Sequence, residues 1–189
     1  LFFCVLTCLS ESRYLLHYLP HWQVTGVELD QHMASPRMAR LFGLPPIATD
    51  MSSPLAAPGA AEASIDAPRW RLLNADAKVF VEEQRCHGQL FDIVISDMAA
   101  GDMTPEFAYS RDFLSRLRTQ CLSPNGVLLF NFIGEAHARA DVAQTLERAL
   151  QTVREEFPHV YLAFAGHFNR VILAHQHGGE LPLSTLRAR

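Results

Sequence analysis

Residues 90–103 read LFDIVISDMAAGDM, and the fold follows from how this run is explained. LFDIVIS (90–96) is apolar and β-branched, with Gly88 before it and Asp97 after it. Such a run shows no alternation of polar and apolar positions, so it reads as a strand buried on both faces. Strands of that kind belong to parallel sheets covered by helices. The question is whether segments of helical period separate it from other strands.

They do, in both directions. On the C-terminal side, Thr104, Pro105 and Glu106 read as a helix start: a capping hydroxyl, a proline in the first turn, an acid on the positive dipole end. Phe113, Leu114, Leu117 and Cys121 then recur at helical spacing. Pro124-Asn125-Gly126 predicts a turn into a strand over 127–133 (VLLFNFI). A helix over 139–157 follows, with Val142, Leu146, Ala149, Leu150, Val153 and Phe157 on one face. Strands at 159–164 and 169–175 are joined closely enough to form an antiparallel hairpin. On the N-terminal side lie a strand at 69–73 with a helix at 76–85, and a strand at 23–29 with a helix at 32–42 stopped by Gly43. Further back stand a strand at 2–7 and a helix at 11–19 ended by Pro20.

Alternating β/α units closed by a hairpin predict an α/β fold. It is a doubly wound, mostly parallel, Rossmann-like sheet with a C-terminal antiparallel hairpin. The expected organisation is one nucleoside-binding domain over 1–178. Its 44–68 stretch, rich in proline, alanine and serine, reads as a flexible insertion, and 179–189 as a disordered tail.

Composition narrows the function classes. The 189 residues are 49% hydrophobic and 19% charged, which suits one domain burying roughly 70% of its unfolded-chain surface. Sixteen Lys and Arg against 20 Asp and Glu give a net charge of −4, which argues against a phosphate-neutralising surface and so against nucleic acid as partner. No membrane partner is expected, because no window holds the ~18 apolar residues of a span. The opening LFFCVLTCL resembles a signal-peptide core, but without a basic start or cleavage site it reads as a buried strand. Cysteines at 4, 8, 86 and 121 include no C-x-x-C pair. A disulfide scaffold is therefore not expected, and a reducing, cytoplasmic setting is the default. Homodimer formation stays open. Nine histidines suggest no metal site: Pro20 separates His17 from His21, and His175 and His177 have no third ligand nearby.

Ligands of doubly wound sheets sit beyond the carboxyl ends of the strands, so acids there are the residues to question. Glu28 closes a strand in VTGVELD (24–30), where its paired oxygens could accept both hydroxyls of a ribose or simply cap the next helix. Asp30 reads as a cap. Asp76 in LLNADAKVF (72–80) could cap a helix, meet a purine's edge together with the Ala77 amide, or do both. Asp97 ends the central strand and precedes a loop of small residues, which suits a general base. One feature is missing: the first 25 residues hold no glycine, and Leu9, Ser10 and Glu11 would crowd the ligand's arm where a glycine-rich turn is usual.

VTGVELD, LFGL (41–44), NADAKVF (74–80), FDIVISD (91–97) and LSPNGVLLFNFIG (122–134) together resemble the polyamine aminopropyltransferases, the spermidine and spermine synthases. They also resemble the related spermidine-synthase-like methyltransferases of the class I S-adenosylmethionine-dependent fold. The match runs over about residues 12–175. The resemblance implies decarboxylated S-adenosylmethionine, or S-adenosylmethionine, as co-substrate, with no metal. Glu28 would bind the ribose, Asp76 and Ala77 the adenine, and Pro105 would line that pocket. Asp97 would accept the proton of an attacking amine or polyamine. Aspartate suits the task, because an alkylamine of pKa ~10 is only about one part in a thousand free base at neutral pH. Polyamine-making members carry a second aspartate three positions on; here that position is Ala100, and Asp102 follows two residues later as the substitute substrate contact. Three functions are expected in order: aminopropyl transfer, methyl transfer to a protein or small-molecule amine, and a silent binding module.

Overall fold

The computed structural model describes residues 2–6, 9–44, 69–83, 90–134, 140–166 and 169–177. The chain alternates as predicted: β1 (Phe2–Leu6), α1 (Leu9–Tyr18), β2 (Gln23–Glu28), α2 (Pro36–Leu41), β3 (Trp70–Asn74), α3 (Ala77–Glu82) and β4 (Phe91–Ser96). Then come α4 (Arg111–Arg116), β5 (Leu122–Ile133), α5 (Ala140–Glu156), β6 (His159–Ala165) and β7 (Asn169–His175). Of the expected 44–68 insertion only Leu44 is described, buried in the sheet's smaller core; the rest of it and the expected 179–189 tail lie outside the described residues.

One seven-stranded sheet runs β3-β2-β1-β4-β5-β7-β6. The strands β1 to β5 pair in parallel, and β7 runs antiparallel to both β5 and β6. This is the doubly wound sheet with its closing hairpin. The order reverses at β1, which has β2 on one side and β4 on the other, so the crevice for a ligand opens beyond Leu6 and Ser96.

The two faces are covered unequally. The larger core buries Phe80, Phe113, Leu114, Leu117, Leu150, Val153 and Phe157 of the α3–α5 layer against Val94, Phe130, Phe132 and Ile172 of the sheet. A smaller core on the other face joins Leu9 and Leu15 of α1 and Ala39 of α2 to Val24, Trp70 and Leu72. Gly26 is required there, because a Cβ would stand 2.8 Å from Trp70 Cη2 and 2.9 Å from Leu72 Cδ1.

Four local expectations are corrected. The Pro124-Asn125-Gly126 turn is absorbed into β5, which starts at Leu122; the register jumps from Phe91–Leu122 to Ile93–Val127, so the extra residues form a bulge. Thr104 caps no helix. Its hydroxyl accepts the Ile133 N–H at 2.7 Å, and a 3-10 turn (Glu106–Tyr109) follows before α4, whose cap is Ser110. The helix expected from residue 32 begins only at Pro36, capped by Ser35, while Asp30 Oδ1 accepts the His32 N–H at 2.8 Å in the preceding turn. Cys121 is disulfide-bonded, which cysteine spacing could not register. Cys4 is a buried free thiol, with its pKa pushed up to about 12 by burial. Among the described residues no helix is long and apolar enough to cross a membrane.

Candidate active site beyond the ends of β1 and β4

Each acid singled out from the sequence lies at or just after the carboxyl end of a strand. Glu28 is the last residue of β2, pairs in register with Asn74, and its Oε1 accepts the Asp30 N–H at 2.9 Å. The Asn74 amide donates to the Glu28 carbonyl at 2.9 Å and to the Leu29 carbonyl at 3.0 Å, which fixes this strand end. Asp76 caps α3, its Oδ1 accepting the Lys78 N–H at 2.7 Å, and Ala77 is buried at the first position of that helix. Pro105, half-buried, leads into the 3-10 turn.

Asp97 stands at the switch point itself. Its backbone N–H donates to the Leu6 carbonyl at 3.1 Å, tying the end of β4 to the end of β1. The Asn131 amide on β5 donates to Asp97 Oδ1 at 2.6 Å and to Asn169 Oδ1 on β7 at 3.3 Å. Burial pushes the Asp97 carboxyl above the usual carboxylate value; the Asn131 hydrogen bond pulls it back, and the charge of Glu11 pushes it up again. A cavity of about 260 Å³ opens here, lined by Glu11, Asp97, Asn131 and Asn169 with Ile95, Leu129, Ala165 and Val171. Acceptor oxygens on an apolar wall, with neither lysine nor arginine lining it among the described residues, suit a cationic amine.

Glu28, Asp76 and Asp97 thus stand at or just beyond the carboxyl ends of β2, β3 and β4, along one edge of the sheet, with β1 between β2 and β4. With strands spaced about 4.8 Å apart, β2 and β4 stand roughly 10 Å apart, a span that a nucleoside with a side arm can cover. The lining of the cavity includes Asp97 but not Glu28 or Asp76. Asp102 is exposed in the turn that Ala100 and Met103 close, and it does not line the cavity either. The expected crowding after β1 resolves differently for each residue. Leu9 turns into the smaller core, whereas Glu11 becomes part of the cavity wall. Sequence reasoning missed Glu11 as a wall, and it missed Asn131 and Asn169. A polar residue inside the apolar run VLLFNFI was the one signal available for Asn131. Among the described residues no cluster of three or more His, Cys, Asp or Glu side chains could hold a metal ion.

No family model and no curated protein matches the sequence. Solved structures do match in shape. A probable spermidine synthase from Corynebacterium glutamicum superposes with a TM-score of 0.69 at 19% identity, over 98% of this chain and 61% of that one. Human methyltransferase-like protein 13, in complex with SAH, gives the same TM-score at 16% identity, over 98% and 77% of the two chains. A spermidine synthase in complex with the transition state analogue AdoDATO gives 0.62 at 15% identity, over 93% and 55%. At these identities the likeness establishes the class I methyltransferase-like fold. The chain spans between about half and three quarters of the lengths of these structures.

Proposed function

We propose that the chain is an S-adenosyl-nucleoside-dependent transferase of the spermidine-synthase-like type, moving an aminopropyl group from decarboxylated S-adenosylmethionine to an amine. The carrying observation is Asp97: half-buried at the switch point, fixed by Asn131, and facing an acceptor-rich cavity whose lining among the described residues holds no Lys or Arg. The strand ends suit such a nucleoside. Glu28 offers carboxylate oxygens where a ribose diol would lie, Ala77 is small where adenine would pack, and Leu9 is turned away. When bound, the sulfonium supplies a carbon open to displacement, with a neutral thioether as leaving group.

The chain's own residues handle the amine. An ammonium has no lone pair to attack with, so the proton must leave. Asp97 accepts that proton and so frees the lone pair that then forms the N–C bond as the thioether departs, and its raised basicity makes it a better acceptor than an ordinary surface carboxylate. Asn131 holds the carboxylate in one orientation, which limits the reorganisation needed at the moment of transfer.

A second reading, methyl transfer from S-adenosylmethionine to an amine, is favoured by Ala100 and by the exposure of Asp102, since methyl transfer needs no second aspartate. The equal likeness to methyltransferase-like protein 13 supports it too. Calorimetry with decarboxylated S-adenosylmethionine, S-adenosylmethionine and methylthioadenosine tests the nucleoside site; failure of all three to bind the folded chain rejects both readings. Incubation with labelled co-substrates then decides between them, because aminopropyl transfer labels the acceptor from the decarboxylated compound alone.

A further inference from the structure

Helix α1 gives only one of its faces to the core. Leu9, Ser12 and Leu15 are buried, while Arg13, Tyr14, His17 and Tyr18 follow one another by helical steps along the outward side. Tyr14 and Tyr18 are 62% and 61% exposed, so two aromatic rings lie open to solvent side by side, their centres 4.5 Å apart. The His17 ring stands edge-on to Tyr18, with centres 4.6 Å apart. Together with Ser10, and with Phe42 at the end of α2, these side chains line a hollow of about 530 Å³. It is larger than the 260 Å³ cavity at Asp97 and shares no lining residue with it.

The charge in this hollow is positive. Gly43, at φ +67°, closes the turn after α2, and Arg13 Cζ and Nε lie 3.5 Å from where its Cβ would stand. The guanidinium is therefore laid across the end of α2. Among the described residues Arg13 has neither an ion pair nor a hydrogen bond, and no Asp or Glu lines the hollow. Glu11, two residues earlier, faces the cavity at Asp97 and accepts the Ser10 hydroxyl at 3.1 Å.

Rings and cation together define the ligand. A bare anion would use Arg13 and leave the tyrosine faces wet; a neutral aromatic would leave the guanidinium unmatched. A planar base carrying a phosphate uses both, stacking on the exposed rings and meeting the planar donor fork of the arginine. One phosphate needs one or two cationic groups, so a net charge of −4 over the whole chain does not oppose it.

We propose that the hollow between α1 and the end of α2 is a nucleotide site, separate from the crevice at the strand ends. It takes one base and one phosphate, from a free mononucleotide or from one unit of a single strand. Arg13 holds the phosphate, and Tyr14 and Tyr18 supply the stacking surface. The site stands independently of the transferase reading.

The test titrates 5′-uridylate, uridine and inorganic phosphate onto the full chain by calorimetry at low salt, uracil being chosen to keep clear of an adenosine crevice. Uridylate is expected to bind about tenfold more tightly than uridine or phosphate alone. Arg13→Gln is expected to reduce uridylate to the affinity of uridine and leave uridine unchanged, and Arg13→Lys to restore part of the difference. Tyr14→Leu combined with Tyr18→Leu is expected to weaken uridine and uridylate alike by about tenfold and leave phosphate where it was. Uridylate binding no tighter than phosphate, full affinity in Arg13→Gln, or displacement of uridylate by methylthioadenosine overturns the site. So does self-association of the chain that the tyrosine variant abolishes without changing uridylate affinity, which makes this face a protein interface instead. Thermal melts confirm that each variant is folded, since all three positions are exposed. Hexauridylate then separates the two sources: binding about tenfold tighter than uridylate upholds the site as one for a strand, and equal binding upholds it as one for the free nucleotide.

Discussion

Asp97 is held between opposing influences, and its variants separate them. Burial and Glu11 raise its pKa, and the Asn131 hydrogen bond lowers it. If Asp97 is the proton acceptor, kcat/KM falls on the acid side as that carboxylate protonates, at a pH above the usual aspartate value. Asn131→Leu removes the lowering influence, so this limb should move to higher pH; a limb that stays put assigns the titration to another group. Asp97→Asn keeps the shape and abolishes the proton acceptor. Turnover should drop by two or more orders of magnitude, with nucleoside affinity from calorimetry largely retained. The same variant should melt at a higher temperature near pH 7. The sign follows from linkage: a carboxyl raised in the folded state disfavours folding once ionised, with the cost setting in as pH rises from its unfolded value through its folded one. Normal turnover in Asp97→Asn removes this residue from the mechanism.

At the scale of elements, the sheet leaves β2 little room. Gly26→Val should destabilise the chain by about 1–3 kcal/mol in a denaturant titration, because its side chain would enter the space of Trp70 and Leu72. Trp70→Leu should recover part of the loss in the double variant, while simple additivity would show that the two positions do not share that space. The strands themselves were legible in the sequence because parallel strands inside a sheet leave mainly apolar, β-branched runs such as FDIVIS, which Asp92 interrupts without setting up an alternation. Boundaries read less well where tertiary contacts overrode local signals. Pro124-Asn125-Gly126 has the chemistry of a turn, but pairing of Leu122 with Phe91 draws it into the strand. Thr104-Pro105-Glu106 has the chemistry of a helix start, but β5 claims the hydroxyl through the Ile133 N–H. The site divides in the same way. Asp97 was legible because a carboxylate ends an apolar strand. Glu11, Asn131 and Asn169 were not, since no periodicity relates positions 11, 97, 131 and 169. Only the order β1-β4-β5-β7 brings them together.

For the whole molecule, acid should weaken the end of the hairpin remote from the cavity. His175 is fully buried, its ring centre 4.7 Å from that of His159 and 6.0 Å from that of Tyr161, and neither ring nitrogen has a hydrogen-bond partner. Burial, followed by the charges of His159 and His177, holds its pKa below the usual 6.5. The folded chain therefore keeps this ring neutral, while the unfolded chain takes up a proton first as pH falls below 6.5. Stability should be fully present above that value and decline beneath it. Melting curves at pH 7.5 and 5.5 should show the drop, and His175→Phe should flatten it; an equal drop in the variant places the titration elsewhere. The sheet has a further consequence. Helices α3–α5 cover much of one side of the sheet, whereas strand residues make the floor of the cavity: Ile95 beside Leu129 on β4 and β5, and Val171 opposite Asn131 on β7. Backbone hydrogen bonds fix those positions whatever side chains they bear. Exchanging large groups for small ones there can deepen, narrow or recolour the hollow one substitution at a time, so a lineage or an engineer could change what the protein accepts without rebuilding the scaffold beneath.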